Sequence, residues 1–383
     1  MKTSNQNCIV FLSAHKATNI LNWSGTLNSL LRSLEARGGA TMPVVALDGA
    51  WLSTMAKQIN RALFFLGVTF DCQLTTLYAF LAGLFTSARL AFLPSGPIVA
   101  VAASNYVPFL ITRRPIVYIS DATFAAAAKL YPEMKSLPRW LFRQCDHHEA
   151  LTLRRATYII LPSKWAADSA KADYGIAPEK IFELPFGANI TKDVVEAHYT
   201  PKRIDSRDVQ LLFASADWSR KGGEKAIDVC RALQSFGADV HLTVIGRAPE
   251  HIRELDFVDF KGFLRKDDPE ELAQICDAFQ KAHFLLLPTQ ADAYGIVFVE
   301  AQAFAVPPIA HEVGGTSSAI EHGATGLLFP LAASPAQFVE GILPYVQSPA
   351  MYEQLSRSCR AWYLESAQWS RWSDLVFRLC RLG

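Results

Sequence analysis

Asp292 and Glu300 stand eight positions apart in ADAYGIVFVEA (291–301), on either side of Gly295 and an apolar run. The preceding HFLLLP (283–288) reads as a buried strand, so TQADAYG forms a loop leading into a helix that starts near Gly295. A helix N-terminus at the carboxyl edge of a parallel sheet has unpaired backbone N–H groups and partial positive charge, which suits a phosphate. The segment Tyr294, Gly295, Ile296 and Val297 would supply those donors, and Gly295 leaves out a side chain where a ligand comes closest. Glu300 falls about a turn and a half into the helix, with its side chain tilted back toward the N-terminus. The two carboxylates can therefore touch different parts of one ligand. A sugar nucleotide fits, because its hydroxyls want acceptors and its diphosphate wants donors.

Each carboxylate also has a plainer role. Asp292 suits a turn or a helix cap. Glu300 suits a solvated helix position, although Phe298, Val299, Ala301 and Ala303 make a mostly buried helix in which a carboxylate wants a partner or a ligand. Spacing alone does not choose between these roles.

The elements that must position these residues alternate along the second half of the chain. LLFASA (211–216), VHLTVIG (240–246), VDFKGFL, HFLLLP, VPPIA and TGLLF read as strands, and GGEKAIDVCRALQSFG (222–237), DPEELAQICDAFQKA and GIVFVEAQAF as helices. The first half has the same grammar, with strands CIVFLSA, MPVVALD, PIVYIS (115–120) and TYIILPS (157–163) and helix TLNSLLRSLEARGG. This alternation predicts an α/β chain with parallel sheets covered by helices on both faces. IFELPFGANITKD breaks the pattern at Pro185 and Gly187 and marks the domain boundary. With 383 residues, two domains are expected, 1–186 and 187–363, facing each other across a cleft at the carboxyl ends of their strands.

Composition narrows the partners. Lys plus Arg number 37 against 36 for Asp plus Glu, so no overall charge draws the chain to nucleic acid, and an anionic ligand must be met by local groups. Cys8, Cys72, Cys145, Cys230, Cys276, Cys359 and Cys380 are odd in number and form no Cys-x-x-Cys pair, which argues against a disulfide framework or zinc site and fits a reducing cytosol. The N-terminus has a short apolar run without a small-residue cleavage site and does not read as a signal peptide. Between Asp71 and Arg113 the only charged side chain is Arg89. Polar residues and prolines interrupt this stretch too often for a membrane span. A buried core is the expectation for it, with peripheral membrane contact through 72–112 as the alternative. CDHHEALTLRRA offers His147, His148 and Glu149, but position 152 is Thr rather than a second spaced His, so a polar helix face is expected there and no metal.

The stretch DAYGIVFVEAQAFAVPPIAHEVGGTSSAIEHGATGLLFP resembles the family-4 glycosyltransferases, retaining enzymes of the GT-B fold with two Rossmann-like domains. The carboxylate pair, the helix, the Pro-containing strand and the Gly-Gly loop match in order and spacing. LLFASADWSRKGGEKAI is similar to the start of that family's donor domain, so the resemblance implies that Lys221, with Arg220 beside it, contacts the diphosphate. Cations at a helix start oppose the helix dipole, which also favours a bound anion there. NWSGT (22–26) resembles the loop after the first strand, with Gly25 approaching the diphosphate from the first domain. ISDATF (119–124) places Asp121 where many relatives carry a histidine near the transferred sugar. SRWSDLVFRLC is similar to the terminal helix, about 364–383, that crosses back to the first domain.

Three positions depart from the family: Asp292 stands for the usual Glu, Ser215-Ala216 for Gly-Arg, and Ala305 for a common Gly. The resemblance implies a retaining transfer of a hexose-type sugar from a nucleotide diphosphate sugar to a hydroxyl of a glycan, lipid-linked or small-molecule acceptor. It would take place in the cytoplasm or at its membrane face. No Asp-x-Asp motif is present, so no metal or other cofactor is expected. A non-catalytic GT-B protein, or an epimerase or phosphorylase on the same architecture, is the alternative.

Overall fold

The computed structural model describes residues 8–14, 17, 22–37, 41–45, 50–65, 71–204 and 208–381. The chain divides into two compact units, Met1–Leu184 with Trp369–Gly383, and Pro185–Gln368.

The first unit is built on six parallel strands, β1 (Ile9–Ser13), β2 (Thr41–Val45), β3 (Ile98–Val101), β4 (Ile116–Ile119), β5 (Tyr158–Leu161) and β6 (Ile181–Glu183), in the order β2-β1-β3-β4-β5-β6. Runs such as IVAV and IVYI are apolar at every position because helices cover both faces, and both are fully buried. β3 lies inside the apolar stretch where no strand was expected, and β6 inside the segment read as a break. Positions 46–48 of the expected second strand lie outside the described residues. The terminal helix Trp369–Arg381 belongs to this unit: Trp372 is fully buried and the Ser33 hydroxyl donates to the Trp369 carbonyl at 2.7 Å.

The charge-poor stretch departs from its expected burial. In the helix Thr76–Ala91, Tyr78, Ala79, Ala82, Gly83, Thr86 and Leu90 form the inward stripe. Leu77, Phe80 and Phe85 point outward, and the following Phe92 and Ile111 are 91% and 72% exposed. Hydropathy is high on both faces, so composition alone could not show that one face is about half exposed among the described residues. Among the described residues no helix is long and apolar enough to cross a membrane.

The second unit has β7 (Asp208–Ser215), β8 (Asp239–Gly246), β9 (Val258–Gly262), β10 (Phe284–Leu287), β11 (Pro308–His311) and β12 (Leu327–Phe329), all parallel, in the order β12-β11-β10-β7-β8-β9. The order reverses between β7 and β10, and in open α/β sheets the crevice at such a reversal is where ligands bind. β9 stops before the expected Phe263-Leu264 because Gly262 takes a left-handed φ of 76°.

The helix Arg139–Arg155 corrects the polar-face reading of His147, His148 and Glu149. His147 is exposed, but His148 and Glu149 are only 1% and 3% exposed and turn into the first unit. A ring nitrogen of His148, Nε2, pairs with the Thr76 hydroxyl at 3.1 Å, and the Thr152 hydroxyl donates to the Ser104 carbonyl at 2.7 Å. The described residues hold no group of three or more His, Cys, Asp or Glu arranged for a metal.

Burial pushes the Glu149 carboxyl up from 4.5 to about 8, against a hydrogen bond from Ser104 and with smaller contributions from Asp146 and Asp121. Burial, and then His147, push the His148 imidazole down from 6.5 to about 4. Between pH 4.5 and 8 the folded chain keeps a Glu149 proton that the unfolded chain releases, so stability falls as pH rises. His148 acts with opposite sign between pH 4 and 6.5, where the folded chain binds fewer protons. From pH 6.5 to 8 the Glu149 contribution falls by roughly 2 kcal/mol, while Lys202, whose ammonium burial pushes down to about 7, acts with the opposite sign above pH 7. From pH 6.5 to 8 the melting temperature of the wild type should therefore fall by a few degrees relative to that of Glu149→Gln, in which Lys202 is unchanged; the same pH dependence in both proteins would contradict this origin.

Candidate active site

The β7/β10 reversal in the second unit gathers the predicted donor residues. β7 ends at Ser215, whose hydroxyl accepts from the Asp217 N–H at 3.0 Å. The turn that follows is fixed by Arg220: its N–H and Nε donate to the Asp217 carboxylate at 3.1 and 2.8 Å, and its Nη1 donates to the Ala291 carbonyl at 2.8 Å. The Gln290 N–H in turn donates to the Arg220 carbonyl at 2.8 Å. Arg220 thus ties the loop after β7 to the loop after β10.

Gly222 permits the two loops to meet. It is left-handed, at φ 76°, and an added Cβ would lie 2.0 Å from the Pro288 carbonyl oxygen. Lys221 is thereby turned toward Asp292, and Nζ pairs with Oδ2. The side chains are only 12% and 10% exposed. At that burial an isolated charge of either sign would be costly, so each requires a partner. Asp292 is held from behind as well, since its carbonyl accepts from the Gly315 N–H of the Gly-Gly loop at 3.1 Å. It does not cap the helix.

The helix Ile296–Ala303 begins after Gly295, which is left-handed at φ 87° and offers no side-chain cap. A Cβ on Gly295 would lie 2.3 Å from the Phe298 ring and 3.2 Å from Asp292 Oδ2. Ile296 and Val297 are half-buried at this open end, whereas Tyr294 is buried with its ring edge-on to Phe186, 5.3 Å between centroids. The uncapped N–H groups therefore begin beside the Lys221–Asp292 pair. Glu300 is 2% exposed and is not a solvated helix residue; its carboxylate pairs with Lys266. Lys266 lies in the loop after β9, and the sequence reading did not single it out, because 34 residues separate the partners and no spacing rule joins them.

After this helix, Ala305 takes φ 57°, a left-handed conformation that disfavours residues with a Cβ. It is the position where the resembling family commonly has glycine. The Ser356 hydroxyl, donating to the Ala305 carbonyl at 2.7 Å, helps to hold this turn.

In the first unit, Gly25 and Asp121 are linked through Trp23. Trp23, Ser24 and Gly25 are consecutive left-handed residues, with φ of 49°, 55° and 89°, before the helix Thr26–Ala36. The Trp23 indole N–H donates to Asp121 Oδ2 at 2.9 Å, joining the loop before that helix to the residue just past β4. Two non-glycine residues in this region store strain that the surroundings must hold in place, a pattern common at functional loops.

Solved glycosyltransferases have this fold. The chain aligns with the glycosyltransferase from Rickettsia africae at TM-score 0.66 and 11% identity, covering 99% of both chains. It aligns with Anabaena Alr3699/HepE, solved with UDP and glucose, at TM-score 0.63 and 15% identity, covering 98% of this chain and all of that one. The architecture is GT-B, as the sequence led us to expect.

Within the second unit, residues 196–362 match the family "Glycosyl transferases group 1". Among curated relatives, D-inositol 3-phosphate glycosyltransferase 1 of Catenulispora acidiphila is 33% identical over 251 residues, 60% of this chain and 58% of that protein. The chain thus spans less than two thirds of the length of that relative.

Proposed function

We propose that the protein is a retaining glycosyltransferase of family 4, a hexosyltransferase that moves a hexose-type sugar from a nucleotide diphosphate sugar to an acceptor hydroxyl. The observation that carries this reading is the convergence at the β7/β10 reversal of the Lys221–Asp292 pair and an uncapped helix N-terminus. The match of this unit to glycosyl transferases group 1 supports a transferase over a protein that only binds nucleotide sugars.

Departure of the nucleoside diphosphate builds negative charge on its terminal phosphate. Lys221 and the N–H groups of Tyr294–Val297 would stabilise that charge in a site largely closed to water. Lys221 is shared with Asp292 before the donor arrives; turning to the phosphate frees the aspartate to accept from a sugar hydroxyl. Arg220 adds positive charge nearby while bracing the loop that carries Lys221, and so only partly replaces the Arg missing at position 216. Glu300 accepts from the ribose hydroxyls.

Retention follows if the acceptor attacks the anomeric carbon on the face the phosphate leaves, with the departing phosphate oxygen taking the acceptor's proton. Asp121, oriented by Trp23, would position the sugar or the acceptor, and Gly25 would admit the diphosphate close to the backbone. Protein groups alone neutralise the diphosphate in this reading, without a metal. Incubation with UDP-, GDP- and ADP-sugars should release nucleotide from one of them when an acceptor is supplied, with no loss on chelation by EDTA. Lys221→Ala and Glu300→Ala should each lower the rate by about 100-fold or more; variants with undiminished activity would contradict the assignment.

We also propose that the first unit works against a membrane surface in the cytoplasm, on glycan or glycolipid synthesis. The exposed Leu77, Phe80, Phe85, Phe92 and Ile111 are accompanied by exposed Arg89 and Arg113, and Phe64 and Phe65 by exposed Lys57 and Arg61. Apolar side chains flanked by cations suit an anionic bilayer. In liposome flotation the protein should rise with vesicles rich in anionic lipid, and Phe85→Asp with Phe92→Asp should abolish this; equal flotation of the double variant would contradict it.

A further inference from the structure

Lys266 has no part in the reading above, yet it supplies the ion-pair partner of the most buried carboxylate at the donor end. Glu300 sits in a helix whose residues Phe298, Val299, Ala301 and Ala303 are all buried and apolar. A carboxylate in such surroundings keeps its charge only beside a cation or several hydrogen-bond donors. The Lys266 ammonium meets that need from a loop outside the helix, and its side chain stays 28% exposed, so it stands between the buried carboxylate and solvent.

The loop that delivers it is well braced. Arg265 on one side pairs with the Asp267 carboxylate through Nε and Nη2, at 2.9 and 2.7 Å. The Arg265 N–H donates to Glu271. Asp268 caps the helix Pro269–Lys281, accepting from the N–H groups of Glu270 and Glu271 at 2.9 and 3.1 Å. Cys276 on that helix lies close enough for both charges to act on its thiol, which burial and then Glu300 push up to about 11 while Lys266 opposes them. The cap at Asp268 sets where this loop joins the helix two residues after Lys266.

We propose that Lys266 is a positioning residue for nucleoside recognition: it holds the Glu300 carboxylate oriented, so that its oxygens accept from a ribose diol. This rests on the donor-site reading above. A carboxylate held in one orientation can take both diol hydrogen bonds, whereas one that has lost its ion-pair partner is free to turn away from them. The residue thus acts through Glu300 on the ribose, and its removal should affect discrimination at the sugar of the nucleotide more than the chemical step.

The test is calorimetric binding of UDP, GDP and ADP and of their 2′-deoxy forms to the full chain, with melting curves to verify folding of each variant. Wild type should bind one ribonucleotide at least about tenfold more tightly than its deoxy form, since the deoxy form lacks one of the two hydrogen bonds to the buried carboxylate. In Lys266→Met the ribonucleotide should weaken by about tenfold and the preference over the deoxy form should shrink to about twofold, whereas Lys266→Arg should retain the preference. In the transfer assay Lys266→Met should raise the donor KM with kcat nearly unchanged. A folded Lys266→Met protein that keeps the wild-type ribose preference would overturn the proposal while leaving the donor site standing. Failure of the wild type to bind any of the three nucleotides would overturn the donor-site reading, and this inference with it.

Discussion

The buried pair of Lys221 and Asp292 is the constraint on which the second unit's site depends. Each charge is nearly closed off from water, so neither tolerates loss of the other, and two loops 71 residues apart in sequence must meet for the pair to form. Gly222 has no side chain where the Pro288 carbonyl approaches, Arg220 ties the same two loops, and the Gly-Gly loop fixes the Asp292 backbone. All of these contacts converge where the strand order of the sheet reverses. An arriving diphosphate would meet a cation already held in place, and the reorganisation needed is the exchange of one lysine contact.

The second carboxylate follows the same rule with a different cation. Lys221–Asp292 and Lys266–Glu300 lie at the two ends of the segment ADAYGIVFVEA, and the uncapped helix start lies between them. Positive charge is thus available at both ends and along the backbone without a metal-binding cluster among the described residues.

Much of this was legible in the sequence. Strands buried on both faces read as apolar runs, helices announced themselves by period and by their glycines, and Gly295 marked the start of the helix that carries Glu300. Contacts between segments far apart in the chain were not legible. Lys266 is one charge in the exposed-looking FLRKDD, and nothing local points to Glu300. The bracing of the two loops by Arg220 was hidden too, because its bond to the Ala291 carbonyl depends on the loop after β10. His148 and Glu149 read as a polar face because helix periodicity does not say which side a neighbouring element covers, and the same ambiguity hid the half-exposed face of the Phe-rich helix. β3 and β6 escaped although prolines flank both, because runs of four and three residues are too short to show a strand period. In the first unit, the left-handed Trp23 and Ser24 could not have been foreseen, since both residue types disfavour that conformation; the indole contact to Asp121 accounts for part of what holds them there.

The most direct measurement is a crystal structure of the protein with the nucleoside diphosphate it binds most tightly. The account predicts the terminal phosphate within hydrogen-bonding distance of Lys221 Nζ and of the N–H groups at the start of the helix Ile296–Ala303, with the ribose hydroxyls on Glu300. A diphosphate bound elsewhere, with the Lys221–Asp292 pair intact and Glu300 out of contact with the nucleotide, would contradict it.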